Sequence, residues 1–251
     1  MTDRELAELL TMGCRILAEQ DIIDAYGHLS ARVPGEPGYY MMNRGMSPAL
    51  VVPDDFIVCD QNGKVVRGKG HPNGEWPIHA RVYAARSDVQ SVLHSHSRLS
   101  RIFSLSHRRM RGLLTQSCGE WQGGLPVYRR PGLVTTVEQG DELAQVLCDG
   151  CAALLRGHGD VVATGGVKDT VLKAILLKQN ADVLHEVISH GGEIDLWTEE
   201  EVAVWKGPLN FNISEQARAA LADRVWDYHV ARVTGRLAGL LTGKTEPAGA
   251  A

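Results

Sequence analysis

Two histidines separated by one residue, in Ser91-Val-Leu-His94-Ser-His96, have the spacing in this sequence best suited to chemistry. On a strand, side chains two apart project from one face, so both imidazoles can grip a single ion. A third histidine, His158, stands between Gly157 and Gly159, where the chain can turn sharply and aim the ring beyond the strand ends. Three imidazoles suit Zn, Mn, Fe or Co, and a fourth position left open is what separates a catalytic site from a closed structural one. Glu75 follows the turn signal His71-Pro-Asn-Gly74 at the start of a helix. Its carboxylate could complete the coordination, or act as acid/base once substrate displaces it. His79 lies one helical turn further on the same face, as an alternative fourth ligand or a partner behind the ligands. Taken singly, a His-x-His on a half-exposed strand and a glutamate at a helix N-terminus need no function.

The elements that must position these groups are legible in outline. Thr2-Asp3-Arg4-Glu5 has capping-box spacing, and the apolar recurrence behind it predicts a helix to about residue 20. His28 to Val33, Tyr39 to Asn43 and Phe56 to Asp60 read as an antiparallel meander divided by Pro34-Gly35, Pro48 and Asn62-Gly63. Helices are expected over 75–86, 98–106, 137–147, 167–189 and 214–237, with a strand over 90–95. Ala152 to Leu155 and Val161 to Ala163 bracket Arg156-Gly-His-Gly159, which puts His158 in a tight turn between two strands. Helices flanking a largely antiparallel sheet make one α/β catalytic domain over 1–242, with a Gly/Pro/Ala-rich, disordered tail over 243–251.

Composition excludes several classes of function. The 251 residues are 44% hydrophobic and 22% charged, as expected of one ordinary globular domain. A net charge of −4 with scattered Lys and Arg is not the basic footprint that nucleic acids require. No run approaches the ~20 apolar residues of a membrane span. The N-terminus lacks the basic region and apolar run of a secretory signal, so a cytoplasmic protein without membrane partners is expected. Five irregularly spaced cysteines argue for reduced thiols, with Cys148 and Cys151 flanking a turn rather than forming a redox or zinc motif.

The stretch from His71 to Tyr83, Asp88 to His96, and Leu155-Arg-Gly-His158-Gly together closely resemble the class II aldolase/adducin family. Gly27-His-Leu-Ser30 and the Trp226-Asp-Tyr228 helix extend the resemblance over roughly residues 5 to 235. It implies a three-layer α/β/α fold around a central, mostly antiparallel sheet, assembled as a homotetramer with active sites shared between subunits. By it, His94, His96 and His158 correspond to the metal ligands and Glu75 to the catalytic acid/base. Tyr228 falls near the C-terminal tyrosine that family aldolases supply from a neighbouring subunit as a proton donor.

Sugar-phosphate aldolases of this family carry Gly-Asn in the first loop and Ser-Ser before the catalytic glutamate, groups that hold the substrate phosphate. Here the corresponding stretches read Gly27-His28 and Asn73-Gly74, so a phosphate would lose several donors. Gly-His-Leu-Ser, with Asn43-Arg-Gly-Met-Ser47-Pro in the next loop, looks like the branch of metal-dependent decarboxylases of hydroxylated aromatic or pyridine dicarboxylates and carboxylated ring-fission products. The expected substrate is therefore a small carboxylate of aromatic catabolism, chelated by one divalent ion per subunit. Arg44 is the first choice to hold its second carboxylate, with Ser30, Ser47 and His79 as further substrate contacts. His28, Glu75 and Tyr228 are the candidate proton donors. The alternatives are an aldolase acting on an unphosphorylated hydroxy-keto acid, an oxygen-using iron enzyme, and a non-enzymatic interaction module of the adducin kind.

Overall fold

The first helix begins where the sequence asks it to. The Thr2 hydroxyl accepts from Glu5 N–H while the Glu5 carboxylate accepts from Thr2 N–H, and the helix α1 runs Asp3–Glu19. A computed structural model describes residues 1–191, 193–206 and 215–236. After α1 come β1 (His28–Arg32), β2 (Tyr39–Asn43), β3 (Phe56–Asp60), β4 (Val65–Arg67), α2 (Trp76–Ala85), β5 (Ser91–Ser95), α3 (Arg98–Leu105) and α4 (Cys118–Trp121). They are followed by β6 (Val127–Tyr128), α5 (Val137–Leu147), β7 (Ala152–Leu155), β8 (Gly159–Thr164), α6 (Val167–Ser189), α7 (Glu199–Lys206) and α8 (Glu215–Val233). The expected tail over 243–251 lies outside the described residues.

Eight strands form one sheet in the order β4-β3-β2-β1-β5-β8-β7-β6, antiparallel throughout except for the β6–β7 pair. The meander expected from residue 28 to 60 is β1 to β3, and β4 extends it at the edge. Alternation along the strands then divides the core in two. Leu29, Ala31, Leu93, Leu154 and Val162 face a layer containing α1, α6 and Trp226 of α8. Met42, Val92, Ala153, Val161 and Ala163 face the opposite layer, made by α2 and α5. The fold is the expected α/β/α arrangement. Among the described residues no helix is long and apolar enough to cross a membrane.

The same alternation aims the polar residues. His28 and Ser30 on β1 and His94 on β5 share the face covered by α2, and pairing sets His28 directly opposite His94. Ser95 and Asp160 project to the other face, where the Ser95 hydroxyl donates to Asp160 Oδ1 at 2.8 Å. Cys148 and Cys151 flank the turn after α5 as free thiols.

Candidate metal centre

The β7–β8 turn delivers His158. His158 N–H closes the turn on the Leu155 carbonyl at 3.0 Å, and Gly157 takes a left-handed conformation with φ +69°. Gly159 serves a different purpose: a Cβ there would lie 1.9 Å from the Ser95 carbonyl oxygen, so only glycine lets β8 approach the end of β5. That approach sets His158 against His94 and His96. His96 Nε2 lies 3.0 Å from Nε2 of both His94 and His158. Ligand nitrogens around a tetrahedral ion with arms of ~2.05 Å would sit about 3.3 Å apart, so little movement separates this arrangement from a loaded one.

Glu75 closes the cluster from the opposite layer. It occupies the N-cap position of α2, with its own N–H bonded to Asn73 Oδ1 at 3.0 Å. Its Oε1 accepts from Val134 N–H at 2.9 Å, and Oε2 stands 3.5 Å from Nε2 of His94 and of His158. The donor atoms of Glu75, His94, His96 and His158 all fall within 4.8 Å of one another.

The donor set fits a divalent ion. His94 Nδ1 bonds the Asp160 carbonyl at 2.9 Å, an interaction only an Nδ1–H can make, so Nε2 is the nitrogen turned to the cluster as a ligand. Burial would push the Glu75 carboxyl up. The neighbouring His158 and His94 and the Val134 N–H outweigh it and hold the group well below the usual carboxylate range. His96 is pushed down to about 4, first by burial and then by His94, His158 and Arg101. A carboxylate facing three imidazoles is what a hard-to-borderline divalent cation requires.

Behind the cluster runs a buried chain of polar groups. His28 Nδ1 lies 2.6 Å from His79 Nε2, His79 Nδ1 lies 2.6 Å from Ser30 Oγ, and Ser30 Oγ lies 2.7 Å from the Tyr83 hydroxyl. Tyr40 stacks on His79 with the ring planes 8° apart. Burial, reinforced by His94, pushes His79 down to about 3, and burial with His79 and His94 drives His28 well below its ordinary value.

A cavity of about 590 Å³ opens onto the cluster, with Tyr26, His28, Glu75, His96, His158, Arg101 and Arg156 in its walls. Of the residues expected to touch substrate, His28 lines it. Ser30 and His79 do not: Ser30 lies on the sheet face that α2 covers, His79 stands on α2 itself, and both are buried, so they back His28 instead. Arg44 is also absent from the walls, its guanidinium engaged by Asp55 at 2.9 Å. Ser47 donates to the Asp24 carbonyl at 2.8 Å. Tyr228 is 48% exposed on α8, which packs on α1 and α6 away from the cavity. Arg101, Val134 and Asp160 escaped the sequence reading, and Tyr83 was seen only as the end of the His71 to Tyr83 stretch. Arg156 was visible in Arg156-Gly-His158 but not weighed as a binding residue.

The chain resembles known proteins in sequence and in fold. Residues 8–185 match the family described as class II aldolase and adducin N-terminal domain. The chain belongs to that family. It is 29% identical over 208 residues to 3,4-dihydroxyphthalate decarboxylase of Arthrobacter keyseri, covering 77% of this chain and 83% of that protein. It is 24% identical over 183 residues to L-fuculose phosphate aldolase of Methanococcus maripaludis, covering 71% and 95%. The crystal structure of an aldolase II superfamily protein from Pseudomonas syringae superposes with a TM-score of 0.78 at 22% identity, over 92% of each chain. The chain is a metal-dependent lyase.

Proposed function

We propose that this lyase is a decarboxylase of a hydroxylated aromatic or ring-fission dicarboxylate, acting with one divalent ion per subunit at His94, His96 and His158 and with Glu75 as acid/base beside it. The observation that carries the reading is His28, a neutral imidazole in the cavity wall with its ring centroid 5.0 Å from that of His94. It occupies the position where the family's sugar-phosphate aldolases carry the asparagine of Gly-Asn. The Arthrobacter relative, named for decarboxylation of a dihydroxylated dicarboxylate, supports the same choice.

In the reaction the bond from ring carbon to carboxylate breaks, its electron pair stays on the carbon, carbon dioxide leaves, and a proton replaces it. A bound divalent ion (Zn, Mn, Fe or Co) supplies Lewis-acid withdrawal of electron density from the substrate oxygen beside the leaving carboxylate. Glu75, held ionised with Oε1 on Val134 N–H, takes up the proton of the substrate hydroxyl at Oε2. His28 Nε2, the ring nitrogen that His79 leaves available, relays to the carbon a proton taken from the cavity, so the imidazole is neutral before and after the step. The buried chain sets that tautomer: Tyr83 donates to Ser30, Ser30 to His79 Nδ1, and His79 Nε2–H to His28 Nδ1. Burial pushes the Tyr83 phenol up, so the chain orients His28 without feeding it protons, and reprotonation comes through the cavity.

In this reading the chain is one catalytic domain over 1–242 working as a cytoplasmic homotetramer, where the exposed Tyr228 is available to a neighbouring subunit's site. The aldolase relative keeps a second reading in view, cleavage of an unphosphorylated hydroxy-keto acid. Metal-reconstituted enzyme should be offered hydroxylated aromatic dicarboxylates and hydroxy-keto acids in parallel, with carbon dioxide and aldehyde both followed. Carbon dioxide from the aromatic acids supports the decarboxylase; aldehyde alone replaces it with the aldolase.

A further inference from the structure

Two arginines, Arg101 and Arg156, line the cavity. Arg101 stands on α3, and Arg156 opens the turn that carries His158. One hydroxyl ties these segments together: Ser104 Oγ donates to the Arg101 carbonyl at 2.7 Å and accepts from Gly157 N–H at 2.9 Å. The joint holds both arginines on the side of the cavity next to His96 and His158.

Both guanidiniums are exposed, and no carboxylate among the described residues pairs with either. Arg44, Arg67, Arg81, Arg86, Arg130 and Arg232 each hold an acidic partner. Glu75 is the one acid among the residues lining the cavity, and its oxygens are committed to Val134 and the imidazoles. Among the described residues, two positive charges beside the donor cluster thus stand without an acidic partner. Each offers a planar fork that matches an oxyanion, at a place open enough that little water need be stripped from it beforehand.

We propose that Arg101 and Arg156 form the subsite for the substrate's second anionic group, a carboxylate that is retained in the product; this rests on the decarboxylase reading. The pair takes the part that sequence reasoning gave to Arg44. On a ring whose departing carboxylate sits beside a hydroxyl near the donor cluster, the retained carboxylate reaches the arginines. A monocarboxylate leaves them empty, so the pair selects dicarboxylates and contributes binding rather than bond cleavage.

The test compares Arg101→Ala, Arg156→Ala, the double variant and the two lysine variants with wild type, all metal-loaded. The substrates are 3,4-dihydroxyphthalate and 2,3-dihydroxybenzoate, which lacks the second carboxylate. For the dicarboxylate, KM should rise about 10-fold in each alanine variant and about 100-fold in the double, with kcat within about 3-fold. For the monocarboxylate, KM should change less than about 2-fold, and lysine should rescue only part of the dicarboxylate loss. Calorimetry supplies a readout without turnover: 3,4-dihydroxybenzoate should bind wild type more tightly than catechol, and the double variant should erase the difference. If wild type turns over neither acid, the decarboxylase reading fails and the calorimetric comparison alone decides the subsite. Equal losses for both substrates, or an undiminished carboxylate preference in the double variant, would overturn the proposal. So would phenyl phosphate binding more tightly than benzoate through the same arginines, which would make this a phosphate site.

Discussion

The two glycines flanking His158 should fail in different ways. At Gly159 an added Cβ meets the Ser95 carbonyl oxygen at 1.9 Å, whereas real Cβ contacts stay above 3.0 Å, so Gly159→Ala must part β8 from the end of β5 by about 1.1 Å. That oxygen and the Ser95 carbonyl carbon, 3.0 Å from the same Cβ, are backbone and cannot rotate aside. Overpacking costs typically 1–3 kcal/mol, and the absence of any relaxing side chain puts this case at about 3 kcal/mol, a fall in Tm of roughly 6–12 °C. The displacement is several times the ~0.2 Å within which ligand distances must hold, so divalent-ion affinity should drop at least as far as when ligand-orienting contacts are lost, about 10–100-fold. Gly157 differs: its Cβ would meet only Leu105 Cδ2 at an ordinary 3.5 Å, but its φ of +69° is left-handed. Gly157→Ala should therefore cost about 1–2 kcal/mol for conformation alone and leave ion affinity close to wild type. Gly35→Ala, with φ +77° and nothing within 4 Å, calibrates that conformational penalty away from the site. Melting of the stripped proteins, with ion affinity read by competition against a chromophoric chelator, separates the terms. A Gly159→Ala protein with wild-type Tm and ion affinity, or one matching Gly157→Ala in both, would refute the packing argument.

Other consequences are equally open to measurement. Ser30→Ala strands His79 Nδ1 and the Tyr83 hydroxyl in the interior, which should cost about 2–4 kcal/mol in urea unfolding and lower kcat with KM nearly unchanged; an unaltered kcat would remove the orienting role of the chain. Glu75→Gln keeps an acceptor for Val134 N–H but loses the charge, so ion affinity should fall about 10-fold or more with the fold intact, read by calorimetry. Acid should destabilise the protein through its buried imidazoles. His79, pushed down to about 3 in the fold against about 6.5 when unfolded, contributes stability that is complete above pH 6.5 and is lost as pH falls toward 3. By pH 5 the loss from His79 alone is about 2 kcal/mol. His79→Gln should lose correspondingly less between pH 7 and 5, and a wild type equally stable at both would contradict the neutral, buried assignment.

The metal cluster was legible because its logic is local. His-x-His on a strand needs only the two-residue period, and Gly-His-Gly announces its own turn. Glu75 was readable from the helix start, but its hold on Val134 was not, since that contact joins α2 to the segment entering α5. Ser30 and His79 were read as substrate contacts, whereas both are buried behind His28, because residue type and spacing say nothing of what covers a residue. Arg44 was chosen for its chemistry beside a glycine, and Asp55, next to it across the sheet, claimed it. Arg101 gave no signal: it is one arginine on an amphipathic helix, and only the Ser104 joint brings it beside His158. Among the elements, β4 and β6 are three and two residues long, too short for alternation to register.

The most direct test of the account is to strip the protein with a chelator and restore one divalent ion stepwise while following carbon dioxide release from 3,4-dihydroxyphthalate. Release should be absent at first, rise in proportion to the ion added, and level off at one equivalent per chain, while His94→Ala stays at background even with excess ion. Carbon dioxide from the stripped protein, or undiminished release from His94→Ala, would contradict it.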